Sequence, residues 1–287
     1  MSPEDAAKTA FSVPQGHFQF NRMPFGLKNA PSTFQRLMNT VLSGLQGERC
    51  FVYLDDIVIY SYDLKSHIEN LSAVFEKLRN HNLKLQPDKC EFLRKEVGYL
   101  GHVITEDGVK PNPEKIKAVQ KFPIPKCPKD IKSFLGLVSY YRRFMPEFSK
   151  TSKSLTSLLK KDTPFNWTNE QQLAFEQLKD KLVTAPVLIY PDFSKPFVLT
   201  TDASNYAISA ILSQGDIGKD RPIAYTSRTL NKAEINCSVS EKELLAIIFG
   251  CKTFRPYLYG RRFSIITDHQ PLKWLFNHTN PSSKWQR

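Results

Sequence analysis

Apolar positions along this chain change period several times, and each change predicts an element. Phe34, Leu37, Met38, Val41, Leu42 and Leu45 recur at helical spacing, the mark of an amphipathic helix. Before them, residues 11–22 read as extended and end in the turn "NRMPFGLKNAP". After them, "CFVYLDDIVIYS" (50–61) is a β-branched, apolar run interrupted at its centre by Asp55 and Asp56. That pattern predicts a β-hairpin with two carboxylates at its bend. Leu64, Ile68, Leu71, Phe75 and Leu78 predict a second helix. "LKLQPDKCEF" and "VGYLGHVITEDGVKP" then read as short strands with a turn at Glu106-Asp107-Gly108.

The pattern shifts at "KFPIPKCPKD", a proline-punctuated hinge before a helix carrying Ile131, Phe134, Leu135 and Val138. Thr168 with Gln171 forms a capping-box start for a further helix. A linker is expected near 184–195. From Pro196, "FVLTTDASNYAISAILSQ" alternates like paired strands, "EKELLAIIFGCKTFRPYL" is helical, and "FSIITDH" is a strand. The second half is therefore expected to hold an α/β domain of its own.

Composition adds bounds. With 287 residues, 41% hydrophobic and 24% charged, the chain is ordinary globular material for one or two domains. No apolar run approaches the ~18 residues of a membrane span. Cys50, Cys90, Cys127, Cys237 and Cys251 are an odd, widely spaced set, which reads as reduced intracellular core cysteines rather than disulfides or a zinc site. Charge changes the picture more. Lys110–Lys161 carries 13 Lys/Arg against Glu114, Asp130 and Glu147, so 13 − 3 = +10 of the chain's net +12. Such a run is either a solvated surface or a polyanion-binding element.

The adjacent aspartates are the sharpest candidate chemistry. Asp at a hairpin bend is commonplace, but apolar strands on both sides would put these two on the floor of a core-backed sheet. Carboxylates packed that closely raise each other's pKa unless a cation joins them. Hard oxygen ligands of this kind suit Mg²⁺ together with substrate phosphates, the chemistry of two-metal phosphoryl or nucleotidyl transfer.

"YLDD" in an apolar hairpin, preceded by "KTAFSVPQGHFQFNRMPFGLKNAPSTFQ", resembles a reverse-transcriptase palm. The order continues through "LQPDKCEF", "YLGHVI", "GVKPNPEKI", "FLGLVSYYRRF" and "FVLTTDAS" to "EKELLAI" and "TDHQPL". Over essentially its whole length the chain is similar to the Pol polyprotein of gypsy-class LTR retrotransposons. The resemblance implies an α+β architecture: a partial palm (1–108), a basic helical thumb and connection (109–183), the linker, and a partial RNase H-like domain with a mixed sheet (196–287). It implies RNA-directed DNA polymerase and ribonuclease H activities with two Mg²⁺ per site, acting on RNA–DNA hybrid, DNA duplex and deoxynucleoside triphosphates, inside the cell and away from membranes. Asp55 and Asp56 match the palm metal ligands. Pro24, Phe25 and Gly26 match the wall of the nucleotide site, and Lys89 a basic residue near its phosphates. Leu100 and Gly101 match the primer grip. Arg142 and Arg143 fall in the thumb, where Lys/Arg contacts supply sequence-independent affinity for a duplex. Asp202, Glu243 and Asp268 match the RNase H metal ligands. Glu241 and Glu243 lie ~200° apart on their helix, so only one can join the aspartates. Periodicity does not choose between them; the resemblance picks Glu243.

The departures also count. The third palm carboxylate and the fourth RNase H carboxylate, in an Ala-Asp-Ala-Leu-like segment, are absent from the sequence, and Cys237 stands where an aromatic is expected. The chain is therefore expected to bind hybrid yet synthesise little DNA. The alternative is a truncated or co-opted relic that binds nucleic acid without catalysis. A Mg²⁺-dependent phosphatase is disfavoured by the basic thumb-like segment and the two-domain order.

Overall fold

The computed structural model describes residues 1–272. Contacts divide the chain into two compact units, Met1–Leu93 and the remainder from Arg94. In the first unit a helical turn, α1 (Pro3–Ala6), precedes the small hairpin β1 (Phe11–Val13) and β2 (Gly16–Phe18). The predicted extended stretch thus folds back on itself. Helix α2 (Ala30–Val41) follows, then the antiparallel hairpin β3 (Cys50–Tyr53) and β4 (Asp56–Ile59), then α3 (Leu64–Asn80). Asp63 caps α3 through the Ser66 amide. Met38 and Val41 of α2 and Leu42 at its end close a core with Cys50, Val52, Val74 and Leu78.

Two readings of this core need correction. Leu37 is 44% exposed and Ile68 56%, because the core is small and covers only the last two turns of α3. The β3–β4 hairpin is buried on one face alone: Cys50 and Val52 point inward, whereas Phe51 and Tyr53 are exposed. It is a two-stranded ribbon with one covered face, and the aspartates at its turn are exposed rather than on the floor of a core-backed sheet.

The second unit opens with the meander β5 (Val97–Tyr99), β6 (His102–Thr105) and β7 (Gly108–Pro111). The contact division therefore falls before this meander rather than at residue 108. Helices α4 (Pro113–Gln120), α5 (Pro128–Ser139), α6 (Phe148–Thr151), α7 (Lys153–Ser157) and α8 (Asn169–Val183) gather round Ile131, Phe134, Val138, Phe144, Leu155 and Leu178. The capping box at Thr168 and Gln171 forms as the sequence implies.

The chain then enters a mixed sheet. Strands β8 (Phe197–Ala203), β9 (Ala207–Gln214) and β10 (Arg221–Thr229) are antiparallel neighbours. Helix α9 (Val239–Thr253) and the short α10 (Arg255–Leu258) lead to β11 (Phe263–Ile266), which pairs parallel with β8, giving the order β10-β9-β8-β11. Gly250 lets α9 lie close on one sheet face: a Cβ there would meet Ala210 at 3.0 Å and Leu199 at 3.1 Å. The stretch 184–195 is not a loose linker. Leu188 is buried and exchanges two backbone hydrogen bonds with Val109, and the Ile189 amide donates to the Pro222 carbonyl.

Candidate nucleic-acid and metal sites

The YLDD turn is built from two sides. Tyr53 pairs with Asp56, so Leu54 and Asp55 form a two-residue turn. Leu54 has φ +55°, a left-handed backbone that costs a branched residue about 1–2 kcal/mol. Gln35 of α2 compensates. Its Oε1 accepts from the Leu54 amide at 2.5 Å and its Nε2 donates to the Val52 carbonyl at 3.3 Å. The Gln35 of "STFQ" is thus the residue that holds the aspartate turn, a role sequence reasoning missed. Asp55 and Asp56 are both exposed. Their adjacency is a signal legible in sequence; the clamp across seventeen or more residues is not.

Elsewhere in the first unit Phe25 projects fully into solvent at 104% exposure, between half-buried Pro24 and Gly26 at φ +90°. Lys89 is exposed at the end of a single 3-10 turn. An unsupported aromatic of this kind offers a flat face to a base or sugar.

Leu100 and Gly101 form the β5–β6 turn, both with positive φ (+47° and +70°), as a type I′ hairpin requires. The hydroxyls of Tyr140 and Tyr141 donate to their two carbonyls, each at 2.6 Å. His102 stacks on Tyr140 with ring centroids 5.3 Å apart. Burial, then the Arg143 charge, push its ring below the usual histidine range. Both turn residues are half-buried, and the Gly101 carbonyl also accepts from the Asn112 amide.

The two candidate thumb arginines differ from a simple basic patch. Arg142 donates to the Ser227 carbonyl and lies over the Phe148 ring; Arg143 lies over Phe144. Both guanidinium-bearing residues are nevertheless exposed, as are Lys115, Lys117, Lys129 and Lys132 on the outer faces of α4 and α5, opposite buried Val119, Ile131 and Phe134.

In the mixed sheet, parallel pairing aligns Ile266 with Thr200. Continuing that register by two residues sets Asp268 beside Asp202 at the ends of neighbouring strands. Glu243 lies on the stripe of α9 that also carries Ala246, Ile247 and Gly250, so it is 4% exposed and in line with the packed face rather than on its flank. Its Oε1 accepts from the Ala203 amide at 3.3 Å, while Oε2 is buried with no hydrogen-bond partner among the described residues. Burial first, then Asp268 and Asp202, push its carboxyl up to about 7. Asp202 is raised by burial and by Glu147 and Asp268, with Lys150 opposing. Glu241 is committed elsewhere: its Oε2 accepts from the Ser238 amide and hydroxyl in the capping box that starts α9.

Asp202, Glu243 and Asp268 therefore share one electrostatic neighbourhood. Among the described residues they do not close into a three-ligand cage. The reason is geometric, since α9 covers the Leu199–Ala210 face and Asp202 alternates to the other face. A buried, unpartnered carboxylate oxygen beside two more carboxylates is nevertheless a donor set suited to a hard divalent cation.

The family described as "Reverse transcriptase (RNA-dependent DNA polymerase)" matches residues 1–104, and "RNase H-like domain found in reverse transcriptase" matches residues 167–265. This chain belongs to the reverse transcriptase–RNase H region of LTR-retrotransposon Pol polyproteins. It is 52% identical, over its full length, to the Retrovirus-related Pol polyprotein from transposon 297 of Drosophila melanogaster, covering 27% of that protein. It is 40% identical over its full length to the Pol polyprotein from transposon gypsy of the same fly, covering 29% of it. With the Transposon Tf2-3 polyprotein of Schizosaccharomyces pombe it shares 41% identity over 98% of the chain and 22% of the relative. The chain thus spans about a quarter of these relatives. Among solved structures, the foamy viral protease-reverse transcriptase dRH in complex with dsDNA matches with a TM-score of 0.84 at 26% identity, over 100% of this chain and 51% of that one. The foamy viral enzyme in complex with RNA/DNA hybrid matches at 0.78, covering 39% of that chain. The polymerase-type match includes the YLDD and primer-grip-like turns; the RNase H-type match includes Asp202 and Glu243 and ends just before Asp268.

Proposed function

We propose that this Pol region takes part in reverse transcription, as RNA-directed DNA polymerase and ribonuclease H, with RNA–DNA hybrid and DNA duplex as ligands. The foamy viral relatives are complexes with these two nucleic acids, which supports the same ligand classes here. The observation that carries the reading is Glu243: a buried carboxylate with one oxygen unpartnered among the described residues, under the charges of Asp268 and Asp202.

Asp202, Glu243 and Asp268 would hold Mg²⁺ at the sheet, and Asp55 and Asp56 would hold it at the clamped turn. When bound, such ions activate an attacking oxygen and stabilise the leaving one in phosphoryl transfer. The remaining work falls to the chain's own groups. Gln35 fixes the direction in which the aspartate pair projects. Phe25, between Pro24 and Gly26, offers its ring to the incoming deoxynucleoside triphosphate, and Lys89 its charge to the phosphates. The Leu100–Gly101 turn presents a rigid backbone edge to the primer. Arg142 acts by fixing the sheet to the preceding helices, and the α4 and α5 lysines supply the electrostatic grip on the duplex.

Thermal unfolding with and without Mg²⁺ tests the metal reading. Mg²⁺ is expected to raise the Tm of the full chain, and Glu243→Gln and Asp202→Asn to abolish most of that increase. A Tm indifferent to Mg²⁺, together with no measurable affinity for RNA–DNA hybrid, would overturn the proposal.

A further inference from the structure

The face of the sheet opposite α9 carries a second set of charges. Cα pairing places Asp202 opposite Ser209 and Ser209 opposite Ser227, so the three form one row across β8, β9 and β10 on a common face. Helix α6 is fixed to that row. The Ser149 amide donates to Ser227 Oγ at 2.9 Å, and the two hydroxyls meet at 3.1 Å, all of it buried.

This anchoring holds the start of α6 in an unfavourable backbone. Glu147 has φ +52° and ψ +33°, a left-handed conformation that costs a non-glycine residue about 1–2 kcal/mol. Lys181 clamps both sides of it, donating to the Pro146 carbonyl and to Thr151 Oγ1, each at 2.9 Å. Strained residues persist where the surroundings over-determine them and tend to mark functional positions. Here the result is that Glu147 Oε1 meets Lys150 Nζ at 2.7 Å, with both side chains part-exposed.

An exposed ion pair of this kind contributes little to stability, so the pair does not explain the strain. Its position does. Glu147, Lys150, Asp202, Ser204 and Ser209 line one shallow cleft. Lys150 is held above the usual lysine range by Glu147, with Asp202 adding to the effect. The next cation along, Lys153, is taken by the Tyr206 ring at 3.6 Å.

We propose that Lys150, positioned by Glu147, is a phosphate contact of the RNase H-like site, a cation delivered from α6 to the backbone of an RNA–DNA hybrid strand at Asp202. The contact rests on the reading of Asp202, Glu243 and Asp268 as that site. The carboxylates of Asp202 and Glu147 repel an approaching phosphodiester, and Lys150 is the positive charge lining the same cleft. Glu147 keeps the ammonium from collapsing onto Asp202, leaving that carboxylate open for a divalent ion.

Equilibrium binding of an RNA–DNA hybrid by the full chain, with Ca²⁺ as the divalent ion and across a range of KCl, tests the contact. Losing one phosphate contact should flatten the slope of log affinity against log salt by about 0.9. Lys150→Gln is expected to show that change, and Lys150→Arg to restore the wild-type slope. Lys219→Gln, in the loop at the far end of β9, is expected to leave it unchanged. Wild-type binding with an unaltered Lys150→Gln slope would overturn the contact alone, whereas absence of salt-sensitive hybrid binding by the wild type would overturn the underlying reading as well.

Discussion

Glu243 is one carboxylate buried on α9, its amide-bonded oxygen at the end of β8, and the charges of Asp268 and Asp202 act on it. Its ordinary value near 4.5 rises to about 7. Between those limits the folded chain keeps a proton that the unfolded chain has released, so stability falls as pH rises from about 4.5 to 7 and then levels off. In EDTA, wild-type Tm is therefore expected to decline over that window relative to Glu243→Gln, the gap growing with pH. A gap independent of pH would refute the assignment. The sequence narrows this residue only to one of two glutamates. What separates them is a capping role for Glu241 and a packing role for Glu243, and the first is itself written in "SVSE", the Ser238-to-Glu241 box. That signal could have been read.

At the scale of elements, the tightest joint is Gly108 against the strap at Leu188. A Cβ on Gly108 would lie 2.1 Å from the Leu188 carbonyl oxygen, and its φ is +143°. Gly108→Ala must break the Val109–Leu188 bridge or displace β7, and is expected to cost about 2–4 kcal/mol in urea unfolding. A loss under about 1 kcal/mol would mean that the strap yields easily. The periodic helices were legible because Ile131, Phe134, Leu135 and Val138 are spaced by the core they fill. Strand β10 was not: Pro222 interrupts its pattern, and the structure accommodates it on an edge strand with a register shift between Pro222 and Ala224. The strap was misread as linker because "PVLIY" is too short to show a period, and its partners lie far away in sequence.

Of the chain's net +12, +10 falls in Lys110–Lys161, where Lys115, Lys117, Lys129 and Lys132 are exposed on α4 and α5. Hybrid affinity is expected to fall steeply with salt, and replacing Lys129 and Lys132 together by Gln to flatten the slope by about 1.8, at ~0.9 for each contact. An unchanged slope would remove α5 from the interface. These lysines are a better choice than Arg142, whose replacement would also release Ser227. The resemblance in sequence reached the family and the order of the two folds, since whole motifs carry them. It could not reveal that the Arg142 guanidinium is tied to a strand 85 residues away in sequence.

The Leu188–Ile189 strap has a mechanical consequence. It is bonded to β7 on one side and to β10 on the other, and Tyr190 adds a hydrogen bond to the Thr105 carbonyl. The Leu100–Gly101 turn and the carboxylate cluster consequently cannot swivel independently, as they would on a flexible tether. A nucleic-acid duplex is a screw, and a body that touches it at two fixed points meets it at one helical phase. For a hybrid held at both points, backbone cuts should recur at a set stagger from the hairpin contact, a spacing dictated by the rigidity of two residues rather than by the base sequence.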